Sequence, residues 1–126
     1  MTRTLAVFVV FAAVGFVAYQ MLTGGATEPT EDVVAAIESG ATVVDVRTDD
    51  EWAGGHVAGA THANVFDDGF EQRMASLDRT EPVYLYCASG ARSGRAAAVL
   101  EGMGFERVVN AGGFNDLVAA GAPVER

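Results

Sequence analysis

The sequence predicts an α/β fold, a three-layer sandwich in which helices cover both faces of a parallel sheet. Two observations support this prediction. From residue 30 onwards, short runs rich in β-branched and aromatic residues alternate with segments whose apolar residues recur at helical spacing. The runs Ala41–Val46 and Val83–Tyr86 are apolar almost throughout and do not alternate with polar residues, which is typical of parallel strands buried on both faces.

The N-terminal segment, residues 1–26, is predicted to be a transmembrane anchor that precedes a domain formed by residues 27–126. Leu5–Leu22 is apolar apart from Gln20, and as a helix it would be about 27 Å long, near the thickness of a hydrocarbon core. A signal peptide with its cleavage site at Gly24-Gly25-Ala26 is the main alternative. A buried core helix is a third.

The charges around this segment predict its orientation. Arg3 precedes the apolar span and acidic residues follow it, which places the N-terminus in the cytoplasm and the domain outside. We therefore expect a single-pass protein of the cell membrane with an extracytoplasmic domain, or an exported soluble protein if the segment is cleaved. Outside the cytoplasm, cysteines usually form disulfides. A lone cysteine cannot form one within the chain, which favours a chemical role for it.

The first elements of the domain follow a short linker over residues 23–29. Thr30 is predicted to be the N-cap of a helix, and Gly40 fits its end. The apolar stripe of this helix consists of Val33, Val34, Ala36 and Ile37. The strand over Ala41–Val46 comes next, and it leads into a loop over residues 47–60.

The middle of the domain is predicted to contain a short strand over Thr61–Val65 and then one or two helical turns. Residues 66–77 carry a core-facing stripe at helical spacing, formed by Phe66, Phe70, Met74 and Leu77. Asp67 and Asp68 are interpreted as surface residues. A turn over residues 78–82 leads to the strand Val83–Tyr86, because Pro82 is acceptable at the first position of a strand.

The C-terminal part is predicted to contain a helix, a strand and a second helix. The first helix has one apolar face, formed by Ala96, Val99, Leu100 and Met103. The last strand covers residues 107–109, and Gly112-Gly113 is interpreted as a turn. A closing helix over residues 114–120 follows, and the fold ends at residues 121–123.

The chain is organised around the stretch that follows Val83–Tyr86. The strand ends in Cys87, the only cysteine, and a six-residue turn separates it from the helical pattern. Backbone amides in such a turn and the positive end of the following helix stabilise a thiolate. Gly90 and Gly94 are expected to allow the tight curl, and Arg92 to bind an oxyanion. The alternative is that Cys87 is a buried structural cysteine.

The composition excludes several kinds of site. The formal net charge is −9 and all 8 basic residues are arginines, which argues against nucleic acid as a partner. One cysteine rules out an intramolecular disulfide framework. With only His56 and His62 beside it, a zinc site is not expected, and no cofactor is implied.

Three motifs resemble the single-domain rhodaneses, the thiosulfate sulfurtransferases. The stretch Cys87-Ala88-Ser89-Gly90-Ala91-Arg92-Ser93 is similar to their Cys-x-x-Gly-x-Arg-Ser active-site loop. Asp45-Val46-Arg47, then Glu51-Trp52, then Gly55-His56-Val57-Ala58-Gly59-Ala60 follow the family's order with no insertion. Asn110-Ala111-Gly112-Gly113-Phe114-Asn115-Asp116-Leu117 resembles the small exported rhodaneses of the phage-shock type. Many rhodaneses have a tryptophan where Leu117 stands.

The resemblance covers about Thr30 to Val124 and implies a five-stranded parallel sheet with helices on both sides. It implies that Cys87 carries sulfur as a persulfide, with thiosulfate or a similar small anion as donor and a thiol or cyanide as acceptor. The residues expected to bind the donor are Ala88, Ser89, Gly90, Ala91, Arg92 and Ser93. Arg95 is interpreted either as a further donor-binding residue or as an exposed helix charge.

The second motif is expected to support the site and not to react. Arg47 is predicted to pair with Glu51 and pin the loop after the strand, and Trp52 to bury its ring beneath that loop. Asp45 is expected to bond the backbone of the active loop. His56 is a candidate general base, but a hydrogen-bonded structural histidine is the favoured interpretation.

Two other functions remain open at this point. The first is a phosphatase or arsenate reductase on the same scaffold. Its loop would have one more residue between cysteine and arginine than the four that separate Cys87 from Arg92. The second is a membrane-tethered persulfide carrier or binding module, which transfers sulfur to one partner and does not turn over freely.

Overall fold

The computed structural model describes residues 24–126. The predicted anchor over Leu5–Leu22 lies outside these residues. Between residues 24 and 126, no helix has both the length and the apolar character needed to cross a membrane.

The order of strands and helices confirms the α/β prediction. The strands are β1 (Ala26–Thr27), β2 (Thr42–Asp45), β3 (His56–Val57), β4 (Thr61–His62), β5 (Val83–Cys87), β6 (Val108–Gly113) and β7 (Val124–Glu125). The helices are α1 (Thr30–Glu38), α2 (Asp49–Ala53), α3 (Phe70–Met74), α4 (Ala91–Gly102) and α5 (Phe114–Ala119).

Five of these strands form one parallel sheet in the order β1-β6-β5-β2-β4. One core packs α3 and α4 against the sheet around Leu85, Met74 and Leu100. The other packs α1 and α5 against the opposite face around Tyr86 and Leu117. The five-stranded sheet with helices on both faces is therefore confirmed, and β5 lies at its centre.

Both ends of the domain contain strands that the sequence did not indicate. β1 lies in the expected linker and pairs with β6, whose edge backbone groups would otherwise lack partners. β7 lies beyond the expected end of the fold and pairs antiparallel with β3. Each is two residues long, too short for a periodic pattern to reveal.

Two helix predictions need correction. Thr30 is the first helical residue and not the N-cap, which is Pro29. The Pro29 carbonyl accepts the backbone N–H groups of Asp32 and Val33 at 3.0 and 3.1 Å. Phe66 does not belong to a core-facing stripe, because α3 begins only at Phe70 and the Phe66 side chain is 58% exposed.

The interpretation of three glycines was also wrong. Gly112 and Gly113 continue β6 beside Tyr86 and Cys87 and do not form a turn. Gly94 is a buried residue within α4. The helix therefore begins at Ala91, nearer to the cysteine than expected.

A buried ion pair connects β2 to the rest of the fold. The Asp45 carboxylate is fully buried and accepts hydrogen bonds from Arg47 Nη2 at 2.7 Å and from the Tyr86 hydroxyl at 2.6 Å. Arg47 Nη2 also donates to the Gly55 carbonyl at 2.7 Å, and its guanidinium lies 4.4 Å from the centroid of the Phe114 ring. The pair thus ties β2 to β5 and to the turn before β3.

This arrangement corrects two expectations. Arg47 pairs with Asp45, two residues away, and not with Glu51. The hydrogen bonds of Asp45 go to Arg47 and Tyr86 and not to the active-loop backbone. The reason is geometric: Asp45 ends β2 facing the Tyr86 hydroxyl from the neighbouring strand, and Arg47 folds back over it.

We predict that Asp45→Asn lowers the free energy of unfolding by about 3 kcal/mol, because it leaves the Arg47 charge buried without its partner. Urea unfolding followed by circular dichroism measures this change. The control is Asp68→Asn, which removes an exposed carboxylate and should change the free energy by less than about 0.5 kcal/mol. Equal effects of the two substitutions would contradict the assignment of the ion pair.

Candidate active site

Cys87 is the last residue of the central strand β5, at the carboxyl edge of the sheet. Its side chain is fully buried. The Gly90 backbone N–H donates to its Sγ atom at 3.0 Å, and the Ser93 Oγ atom lies 3.4 Å from it. Ligand sites of parallel α/β sheets lie at this edge, so the position suits a reactive group.

The loop between strand and helix is only three residues long, Ala88–Gly90. Gly90 adopts φ +96° as the N-cap of α4, a conformation that other residues rarely adopt. Gly113 of β6 lies directly behind the loop, and a Cβ atom there would be 2.5 Å from the Ala88 carbonyl oxygen. The glycines therefore bring the loop close to the sheet and turn its amides towards the sulfur.

The surroundings of Cys87 lower the pKa of its thiol. Burial raises this pKa, but hydrogen bonds from the Ser93 hydroxyl and from the backbone amides of Ser93, Ser89 and Gly90 lower it more. The 12-residue helix α4 begins directly after the loop and adds the positive end of its dipole. The arrangement therefore favours a thiolate.

Arg92, in the first turn of α4, forms a paired contact with Glu51. Its Nη1 and Nη2 atoms donate to the two Glu51 carboxylate oxygens at 2.6 and 2.9 Å. Thr48 fixes the same carboxylate through a capping box at the start of α2. This pairing raises the pKa of Arg92. The partner of Glu51 is therefore Arg92 and not Arg47, the partner expected from the sequence.

The Glu51 carboxyl is strongly acidic as a result. The hydrogen bond from Arg92 lowers its pKa to about 2, although burial opposes the shift and bonds from Thr48 assist it. Arg92 is half-buried, and its charge contributes to the potential at Cys87. The α2 helix therefore determines where the guanidinium lies.

Asn110 contacts the active loop and the first turn of α4, a position to which the sequence assigned no role. Its Oδ1 atom lies 2.7 Å from Ser93 Oγ and accepts the Gly112 backbone N–H at 3.1 Å. Its Nδ2 atom donates to the Gly90 carbonyl at 3.0 Å. The available signal was a polar residue between the apolar Val109 and Ala111 of a strand.

Two other candidates lie away from the sulfur. Arg95 is exposed, and its guanidinium lies 5.6 Å from the centroid of the Phe66 ring. His56 stacks on the half-buried Trp52 at 3.5 Å between ring centroids, and its ring nitrogens lie near the Trp52 carbonyl and the Glu125 carboxylate. These contacts favour the structural interpretation of His56.

Fold and site together define a parallel α/β domain with a thiolate-stabilising loop at the carboxyl edge of its sheet. A family model described as "Rhodanese-like domain" matches residues 29–120. The chain belongs to the rhodanese-like family.

Relatives of known sequence agree with this assignment. The chain is 37% identical over 97 residues to the thiosulfate sulfurtransferase GlpE of Pseudomonas fluorescens, covering 77% of this chain and 87% of the relative. It is 34% identical over 76 residues to the thiosulfate sulfurtransferase PspE of Escherichia coli, covering 59% of this chain and 71% of the relative. The resemblance to single-domain rhodaneses is therefore confirmed.

Solved structures show the same fold. The solution structure of the rhodanese-like domain of Anabaena Alr3790 superimposes with a TM-score of 0.68 at 27% identity, covering 80% of this chain and 77% of the other. A rhodanese with anions from E. coli superimposes with a TM-score of 0.59 at 30% identity, covering 68% and 96%.

We predict that the Arg92–Glu51 pair makes stability depend on pH in the acid range. A carboxyl whose pKa is lowered by folding stabilises the protein above its unfolded pKa, near 4.5, and loses this contribution as the pH falls through about 2. Urea unfolding between pH 5 and pH 2 should therefore show a steeper loss for the wild type than for Glu51→Gln. Glu71→Gln, an exposed carboxylate, is the control and should keep the wild-type slope. Identical slopes for the wild type and Glu51→Gln would refute the pairing.

Proposed function

We propose that the protein is a sulfurtransferase that moves sulfane sulfur from thiosulfate, or a similar small anion, to a thiophilic acceptor through a persulfide on Cys87. The observation that supports this most is the buried Sγ atom faced by the Gly90 amide and the Ser93 hydroxyl at the start of α4. The names of the GlpE and PspE relatives point to the same activity.

In the first step, the Cys87 thiolate attacks the outer sulfur of the donor. A bond forms between Sγ and this sulfur, the sulfur–sulfur bond of thiosulfate breaks, and sulfite leaves with the electron pair. The negative charge of the resulting persulfide lies on its terminal sulfur. The backbone amides of Ser89, Gly90 and Ser93, which lie around Cys87 Sγ, are the donors that would stabilise this charge.

In the second step, a thiolate or cyanide attacks the terminal sulfur. The new bond forms to the acceptor, the persulfide bond breaks, and Cys87 again becomes a thiolate. Neither step is assigned a general base, because the surroundings of Cys87 lower the pKa of its thiol and favour the thiolate as the nucleophile. This agrees with the placement of His56 beside Trp52 and Glu125.

Arg92 supplies the positive charge for the anionic donor. Both of its terminal nitrogens already donate to Glu51, so the guanidinium is held in one orientation before the donor arrives. A fixed arginine loses less rotamer entropy on binding than a free one. Arg95 is exposed one turn further along α4 and can contribute charge from outside the loop.

The short loop argues against a phosphatase. Four residues separate Cys87 from Arg92, and Gly113 packs close behind the loop. A ring of this size suits one sulfur atom better than a tetrahedral oxyanion. A persulfide carrier uses the same first step and differs only in its acceptor, so turnover distinguishes it.

We predict that incubation of the full chain with thiosulfate adds the mass of one sulfur atom, and that cyanide removes it. Intact-mass spectrometry measures the gain, and thiocyanate formation measures turnover. Cys87→Ser is the control and should show no gain. No gain in a folded protein with a titratable thiol would overturn the proposal, and a gain without repeated turnover would favour the carrier.

We also propose that residues 1–26 anchor this activity to the cell membrane, with the domain on the extracytoplasmic side. The proposal rests on the length of the apolar run Leu5–Leu22 and on Arg3 before it. We predict that the chain remains in the membrane fraction after alkaline extraction, and that its intact mass still includes residues 1–26. A soluble chain shortened near Ala26 would instead establish the exported form.

A further inference from the structure

The orientation of the Asn110 side-chain amide is fixed by two backbone groups of opposite character. The Gly90 carbonyl can only accept a hydrogen bond, and it lies 3.0 Å from Nδ2. The Gly112 N–H can only donate, and its nitrogen lies 3.1 Å from Oδ1. If the amide were flipped, Nδ2 would face the Gly112 N–H, donor against donor, and Oδ1 would face the Gly90 carbonyl, acceptor against acceptor. Oδ1 is therefore the atom that faces Ser93.

This orientation decides where the single hydroxyl hydrogen of Ser93 lies. Ser93 Oγ is 2.7 Å from Asn110 Oδ1, and an amide oxygen can only accept. While Cys87 is a protonated thiol, the hydroxyl therefore donates to Asn110. Towards Cys87 Sγ, 3.4 Å away, it then presents its lone pairs, which can accept the S–H hydrogen, and it can donate to a thiolate only after its hydrogen has turned away from Asn110.

We propose that Asn110 is a positioning residue that controls the reactivity of Cys87 by competing with its sulfur for the Ser93 hydroxyl hydrogen. This inference rests on the proposed function, because it assigns Asn110 a role in preparing the nucleophile. Ser93 is fully buried, and its hydroxyl has these two partners within reach. Rotation about the Ser93 Cβ–Oγ bond moves the hydrogen from one partner to the other.

The charge on the sulfur determines which partner holds the hydrogen. When Sγ is a thiolate, the charge-assisted bond to sulfur is stronger than the neutral bond to the amide. Asn110 Oδ1 then keeps the Gly112 N–H as its partner and is not left unsatisfied. When Sγ attacks the donor, its charge moves to the terminal sulfur, and the hydroxyl returns to Asn110.

Asn110 therefore offsets part of the energy lost when Ser93 withdraws from the attacking sulfur. A thiolate that is stabilised too strongly is a weaker nucleophile, since nucleophilicity falls with pKa. An acceptor that takes back the Ser93 hydrogen during the attack reduces this penalty. It also raises the pKa of Cys87 relative to a site in which Ser93 can donate only to sulfur.

The test is the pH dependence of Cys87 alkylation by iodoacetamide in the full chain, with Asn110→Leu made in two backgrounds. In the wild-type background, Asn110→Leu leaves the Ser93 hydroxyl with only the sulfur to donate to. In the Ser93→Ala background there is no hydroxyl hydrogen to redirect. Loss of the Asn110–Gly90 contact affects both backgrounds alike, so the difference between the two shifts isolates the competition.

We expect Asn110→Leu to lower the midpoint pH of alkylation by about half to one unit more in the wild-type background than in Ser93→Ala. Asn110→Asp should give a difference of the opposite sign, because a carboxylate binds the hydroxyl hydrogen more strongly than an amide, and it serves if the leucine variant does not fold. Asn115→Leu, an exposed asparagine on α5, is the matched control and should leave the midpoint unchanged.

Equal shifts in the two backgrounds would overturn the inference, since Asn110 would then only anchor the loop. Alkylation does not depend on sulfur transfer, so this result is separate from the persulfide test. Unequal shifts without a gain of sulfur would retain the role of Asn110 and refute the transferase. A gain of sulfur with equal shifts would support the transferase and refute the role of Asn110.

Discussion

The buried contact between Asp45, Arg47 and Tyr86 is the constraint on which the positions of the reactive groups depend. Tyr86 precedes Cys87 in β5, and its hydroxyl donates to Asp45. Arg47 precedes Thr48, which caps the helix that carries Glu51. The three side chains thus hold β2 and β5 together. β5 leads to Cys87, and β2 leads to Glu51, the partner of Arg92. Burial and the Asp45 carboxylate raise the pKa of Tyr86, which keeps its hydroxyl protonated as the donor in this contact.

The sulfur is likewise surrounded by hydrogen-bond donors that replace the water lost on burial. A charged group removed from water persists only where fixed donors replace the solvent. The short loop and the start of α4 supply these fixed donors for Cys87, and the Ser93 hydroxyl adds one when it turns from Asn110 to the sulfur. Arg92 is held in the same way by Glu51. The backbone donors at the sulfur and the Arg92 guanidinium are therefore in place before any substrate binds, and these groups need little reorganisation during the reaction.

Local sequence was sufficient for the parts of the site that lie close together in the chain. The strand, the loop and the helix around Cys87 follow from consecutive residues, because an apolar β-type run, small turn residues and a helical pattern each favour their own backbone. Only the start of the helix was misplaced, since residues 91–94, most of them small, were assigned to the turn and are helical. The partner of Arg92 and the role of Asn110 do not follow in this way. They depend on where α2 and β6 lie relative to the active loop. Packing between elements distant in sequence determines these positions.

The complete burial of Cys87 also bears on its lifetime in an oxidising environment. A thiolate at the surface is readily converted to sulfenic and sulfinic acids, the second of which is usually irreversible. Here the sulfur is buried at the start of the loop Ala88–Gly90. A change that exposes the sulfur more to small anions therefore also exposes it more to oxidants, so that greater access to the thiolate shortens its lifetime.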